Sequence, residues 1–415
     1  MMKKEYIRTK YACYTANLSM SVVGNLSPLL FLTFRSLHGI SFSMLGALIL
    51  INFCTQLGVD LLFSFYSHKF NIEKAVKLTP VLTSLGLLIY AIFPFFFPDA
   101  VYLGLVIGTI IFAASGGLVE VLISPVIAEM APDDADHEVS KLHSVYAWGV
   151  VGVVILSTLF LLVFGKENWQ ILALLWTIIP IVSCVLFFTS KVPNLKTPQH
   201  ASNVLSLIKG KDFLVCFFCI FLGGASECTM SQWSSSYLEQ ALGIPKVWGD
   251  VFGVALFAVM LGLGRSLYAK YGKNIYKVLM LSGIGATLCY LAATLSNVAL
   301  VGLIACAMTG FCVAMLWPGS LLVASERFPA SGVAVFALMA AGGDLGASIG
   351  PQLVGAVTDF ALKNEWVTAL AASMQMSVDQ LGMKIGLLCA IIFPLLASVL
   401  LIILYRSSKK RTHSN

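Results

Sequence analysis

Four carboxylic acids, Asp60, Glu120, Glu227 and Asp344, lie deep inside apolar stretches of the sequence, and one base, Arg265, has a comparable place. A carboxylate at the centre of a membrane helix costs about 2.5–3.5 kcal/mol on insertion scales. Residues that bear such a cost usually face a water-filled pathway or a binding site. Burial favours the neutral form of a carboxyl, so an enclosed acid takes up a proton and releases it once water reaches it. The surplus of acids over bases predicts a cavity for protons, sodium ions or a cationic solute. Glu120, Glu227 and Asp344 are the expected proton-coupling residues. Asp60 and Arg265 fall near one end of their stretches, where charge reaches the interface easily, and are expected to gate.

Chemistry of that kind needs a scaffold that lipid can solvate. Of 415 residues, 58% are hydrophobic and 11% charged, and the mean hydropathy is +0.89. A soluble domain carries about 25% charge. About 20–25 residues per crossing, plus a short turn, fit about twelve times into this length. The expected spans are 10–36, 41–66, 74–97, 100–129, 140–165 and 168–190, then 212–238, 247–271, 276–295, 297–325, 331–361 and 382–405. The basic start, Met1 to Lys10, precedes an apolar run too long for a secretory signal and without a cleavage site, which makes it a first membrane helix. Counting Lys and Arg between spans puts 21 of 26 on the side of the termini. That imbalance predicts both termini in the cytoplasm, with Trp169, Trp248 and Trp366 at outer helix ends. The net charge of +6 follows this topology and is no nucleic-acid signature.

The polar stretch 191–211 separates 1–190 from 212–415, and the two parts repeat each other. Gly117 and Pro125 match Gly310 and Pro318 with the same eight-residue step. Gly149 and Gly152 match Gly343 and Gly346, and Leu57-Gly58 lines up with Leu261-Gly262. The expected fold is an all-α membrane protein of twelve transmembrane helices in two pseudo-symmetric six-helix bundles. Parallel halves of this kind rock about a central site.

Cys216 and Cys219, in C-x-x-C spacing, lie within a span and read as small apolar packing. The acidic run Pro132 to Glu138 lacks the EF-hand pattern and reads as a solvated loop. The glycines at 342–346 do not follow a strand, so a nucleotide site fails. No nucleophile–base set or phosphate loop is present, which excludes an enzyme or a primary pump. No cofactor or metal is expected.

These features resemble the major facilitator superfamily over the whole chain. The helix Gly116-Gly117-Leu118-Val119-Glu120 through Ser124-Pro125-Val126-Ile127 is similar to the G-x-x-E-x-x-x-x-P helix of the fucose permease branch. Gly224-Ala225-Ser226-Glu227 resembles that branch's G-A-E stretch. Gly264-Arg265 leading to Lys270-Tyr271-Gly272 is similar to the second-half copy of the superfamily loop motif. The first-half copy departs from the pattern, with His68, Asn71 and Glu73 at its Asp, Gly and Arg places. Asn71 still tolerates a left-handed turn. The branch also implies a coupling acid on the first helix, where this chain has only Asn17 and Asn25.

The resemblance implies proton-coupled uptake of a sugar or similar small polar solute by a monomer in the bacterial cytoplasmic membrane. Its partners would be the solute, a coupling cation (proton or sodium) and the lipid bilayer. Sugars take aromatic faces and amides, which puts forward Trp148, Trp233 and Trp317 with Asn25, Gln232 and Gln352. Gly350-Pro351 reads as a kink. Two other readings use the same residues: proton-driven export of cationic drug-like solutes, and a receptor that binds without transport.

Overall fold

The computed structural model describes residues 4–66, 69–193, 210–328 and 332–414, and among these every regular element is helical. In chain order the main helices are α1 (Ile7–Leu29), α2 (Phe31–His38), α3 (Phe42–Tyr66), α4 (Ile72–Phe96), α5 (Val101–Met130) and α6 (Ala135–Phe164). Then come α7 (Trp169–Trp176), α8 (Ile178–Phe188), α9 (Lys211–Leu242), a π-helical turn over Gly249–Ala255, α10 (Leu256–Tyr271) and α11 (Ile275–Leu295). The last are α12 (Ala299–Val313), α13 (Leu316–Arg327), α14 (Gly332–Leu362), α15 (Glu365–Ser373), α16 (Val378–Cys389) and α17 (Ile392–Ser414). Ten described stretches are long and apolar enough to cross a membrane, and the pair α1 and α2, bent by 47°, adds an eleventh. Helix α14, 31 residues long, lies over the remaining expected span, 331–361, and carries Asp344. Most of the stretch expected to link the two parts, 194–209, lies outside the described residues, as does His68.

Besides the bend between α1 and α2, three spans are broken where the sequence shows one apolar run. The breaks at Thr177, at Ala314–Met315 and at Ala390–Ile391 each lie just before a helix with proline at its third residue: Pro180, Pro318 and Pro394. Proline has no N–H for the carbonyl four residues back and its ring crowds that turn. Pro125, Pro80 and Pro351 are carried inside unbroken helices, so the two halves differ at the Gly117–Pro125 and Gly310–Pro318 match.

By its contacts the chain divides into two compact units, Met1–Ile40 with Ile51–His200, and Ser41–Leu50 with Ala201–Asn415. In the first unit α4 and α5 meet backbone to backbone. A Cβ at Gly86 would lie 2.8 Å from the Gly108 carbonyl, and one at Gly108 would lie 2.7 Å from Tyr90 Cβ. Hydroxyl bonds lock this seam, Thr83 to Ser115 at 2.7 Å and Ser115 to the Thr79 carbonyl at 2.6 Å. Helix α6 lies on α1 through Gly149, and the Asn17 amide donates to the Leu142 carbonyl at 2.7 Å. Trp169, expected at an interface, is 1% exposed and packs edge-on against Phe34 and Tyr90. The Pro132–Glu138 run is no free loop either. Glu138 is 7% exposed and accepts from Lys10 at 2.5 Å and Lys141 at 2.9 Å.

In the second unit α9 and α14 approach so closely that a Cβ at Gly224 would lie 2.5 Å from the Gly343 carbonyl, and one at Gly350 2.8 Å from the Ala225 carbonyl. Cys216 and Cys219 are buried free thiols in this unit. The segment Ser41–Leu50, which opens α3, packs on α14 within this unit. Its first two amides, Phe42 and Ser43, donate to the two oxygens of Asp359 at 3.0 and 2.6 Å. A carboxylate there satisfies N–H groups that have no partner in the helix and complements the positive end of its dipole.

Two outcomes follow. Asp359→Ala should lower stability by about 1 kcal/mol, the usual worth of a lost helix cap, read as thermal unfolding in detergent; an unchanged midpoint would show that the cap contributes nothing. The Lys10 hydrogen bond, reinforced by Lys141, holds the Glu138 carboxyl below its ordinary value of 4.5. A lowered folded-state value stabilises the protein above the unfolded value, and the gain is lost as pH falls through the folded one. Glu138→Gln should therefore melt below the wild type at pH 7, and the difference should close on acidification below about pH 4.

Candidate coupling and solute site

Glu120 sits on α5 between the buried Val119 and the half-buried Val121, and its own side chain is exposed. Its carboxylate accepts a short hydrogen bond from the Gln56 side-chain amide of α3. The glycines before it admit this contact. A Cβ at Gly116 would lie 3.3 Å from Gln56 Oε1, and one at Gly117 2.7 Å from the Gln56 carbonyl and 2.8 Å from Asp60 Oδ1. The structure thus brings Asp60, expected at a gate, to the same helix seam as Glu120. Asn25 donates to the Ser21 carbonyl of its own helix at 2.9 Å. Trp148 is 73% exposed on α6.

In the second unit Glu227 of α9 accepts from Arg265 of α10 at 3.4 Å, and its Oε2 is buried with no hydrogen-bond partner among the described residues. Arg265 also donates through Nε to the Ala314 carbonyl at 3.1 Å. The cause is local. Pro318 has no N–H to offer the carbonyl four residues back, which is that of Ala314, and the guanidinium takes the place. Cys228, the residue after Glu227, lies within electrostatic reach of Asp344 and Arg265 as well. Asp344 is buried on α14 beside Gly343. The Trp317 ring packs on two glycines, 2.6 Å from a Cβ at Gly343 and 3.0 Å from one at Gly224.

The remaining expected contacts fall elsewhere in this unit. Trp233 is fully buried, donates to the Pro351 carbonyl at 2.9 Å and lies against Phe42. Both its polar atom and its faces are used in packing, so in this conformation it presents no platform. Gln352 Oε1 is buried with no hydrogen-bond partner among the described residues, 2.9 Å from a Cβ at Gly46. Gln232 is half-buried. Sequence reasoning missed Gln56 and Ala314; the signals were the Gly116-Gly117 pair and the proline four residues after 314. Among the described residues no group of three or more His, Cys, Asp or Glu could hold a metal ion.

The pattern of spans agrees with a comparison to known families. Residues 12–351 match the model of the Major Facilitator Superfamily. The chain belongs to that superfamily. It is a multi-pass membrane transporter and not an enzyme. The structure of a nucleoside transporter superposes with a TM-score of 0.74 at 11% identity, covering 95% of this chain and 99% of that one. A D-xylose–proton symporter gives 0.68 at 16% identity, over 94% and 97%. The E. coli fucose:proton symporter gives 0.59 at 14%, over 95% and 99%. At these identities the likeness carries the fold alone. No curated protein matches the sequence.

The Arg265 side chain is 46% exposed, so screening limits its pair with Glu227 to about 1 kcal/mol or less. Arg265→Ala should lower the melting temperature, and adding Glu227→Gln should restore part of the loss, since the carboxylate left behind is then neutral. Independent, additive losses would show that the two side chains do not act as a pair.

Proposed function

We propose that this transporter couples a proton gradient to uptake of a sugar or similar small polar solute by alternating access. In this reading it works as a monomer in the plasma membrane, with both termini cytoplasmic. The two six-helix halves, 1–190 and 212–415, joined by 191–211, rock about the solute. The observation that carries the reading is Glu120, a carboxylate within a span that meets an amide rather than a cation and keeps its side chain exposed. Such a group changes charge at modest cost, because protonation leaves no buried base behind. Glu227 differs: Arg265 balances one of its oxygens while the other has no hydrogen-bond partner among the described residues. Asp344 completes the set of acids, and Trp317, held between two glycines, is the aromatic best placed beside them. Asn25, Gln232 and Gln352 are the amides proposed for solute hydroxyls, with Trp148 a further aromatic.

The surplus of acids also suits export of a cationic solute, which would use Glu120 and Glu227 as counter-charges. One experiment separates the readings. In proteoliposomes with an imposed pH gradient, the wild type should accumulate a sugar from a panel of labelled sugars, whereas Glu120→Gln and Glu227→Gln should lose accumulation and keep exchange. Full pH-driven accumulation by both variants would exclude these acids from coupling. Efflux of cationic dyes with no sugar uptake would favour export.

A further inference from the structure

We infer that Gln56 is a positioning residue for Glu120, and that its amide sets how readily that carboxyl binds a proton. The inference rests on the proposal that Glu120 carries the coupling proton. Gln56 is 8% exposed, and its Nε2 donates to Glu120 Oε2. Gly116 and Gly117 of α5 leave room for the Oε1 of Gln56 and its backbone carbonyl, and a Cβ at either position would press on them at 3.3 and 2.7 Å.

A donor aimed at a carboxylate favours the ionised form. Amides differ from lysine or aspartate in carrying a donor and an acceptor side by side. When Glu120 takes a proton, its new O–H needs an acceptor, and a half-turn of the amide presents Oε1 in place of Nε2. Gln56 can therefore satisfy both forms of Glu120 without another side chain moving in. An apolar residue of the same size would satisfy neither, and the loss falls mainly on the charged form, which needs the bond more.

Other charges near this seam are accounted for. Asp60, one turn along α3 from Gln56, places Oδ1 2.8 Å from the Cβ position at Gly117 and is the acid closest to Gln56 in sequence. Helices α1, α4 and α6 pack on α5. Helices α1 and α6 bring Lys10, Tyr14, Lys141 and His143, and both lysines are held by Glu138. Helix α4 brings Lys74 and Lys77, the latter held by Glu73 at 2.7 Å. None of these pairs includes Glu120; its side-chain hydrogen bond is to the Gln56 amide, and Asp60 is the further acid on the same seam.

The test is an infrared titration of the full-length protein in lipid with no solute added, following the carboxyl C=O band from about pH 4 to 9. The difference between wild type and Glu120→Gln isolates the band of Glu120. In Gln56→Met the pH at which that band is half-grown should move upward by about one unit, the size of one lost charge-assisted hydrogen bond. Gln56→Asn, whose shorter amide falls short of Glu120, should move it the same way if the methionine variant does not fold. An unmoved half-point in a folded variant overturns the inference and leaves the role of Glu120 standing. Absence of any Glu120 band in the wild type across the range overturns the coupling role, and the inference with it.

Discussion

Helices in lipid gain little by hiding apolar side chains from one another, so they hold together where small residues let their backbones touch. Glu120, Asp344 and Trp317 are positioned beside such contacts. In the second unit, the meeting of α9 and α14 at Gly224, Gly343, Gly346 and Gly350 sets the depth of Asp344 and the bed for Trp317. In the first, Gly116 and Gly117 admit the edge of α3 and with it Gln56 and Asp60. A side chain at these glycines would separate the helices and leave polar groups in the seam without partners. Glycine costs conformational entropy in a helix; close packing and hydrogen bonds across the seam offset it.

Charge within the spans obeys the same economy of partners. Helix breaks supply some of them. The carbonyl of Ala314 lacks an intrahelical donor because of Pro318, and that vacancy lets a guanidinium lie within the span without pairing every donor to a carboxylate. Arg265 is thereby turned towards Glu227. At the start of α3 the need is reversed: free N–H groups meet the carboxylate of Asp359. The backbone's unpaired groups and the side chains' charges thus satisfy each other, as an apolar medium requires.

Much of this was legible in the residues. Apolar lengths near twenty gave the spans, and the depth of Glu120, Glu227 and Asp344 marked the acids, because the cost of charge in lipid is large and local in sequence. Helix breaks at 177, 314–315 and 390–391 were not, because prolines such as Pro125 and Pro351 stay within unbroken helices, so proline alone does not decide. Partnerships between distant helices were also hidden. The Gly116-Gly117 pair and Pro318 mark a close approach and a free carbonyl, but not that Gln56 and Arg265 are the groups that meet them. Aromatic residues misled for a related reason: Trp169 and Trp233 are large enough to line a site or fill a core, and only their neighbours settle which.

The π-helical turn at Gly249–Ala255 has a further bearing on how this chain tolerates change. A π turn accommodates one residue more than an α-helix of the same rise, and each residue of an α-helix turns the chain by about 100°. Loss of one residue within this stretch would let the helix run on as a regular α-helix of the same rise, so α10 would keep its facing, with Gly264 against Ala314 and Arg265 towards Glu227. The same loss within the regular turns between Leu256 and Gly264 has no such slack and would turn Arg265 away from Glu227 by about that angle. Residue count is thus free to vary by one in the π turn and is fixed in the helix that follows it.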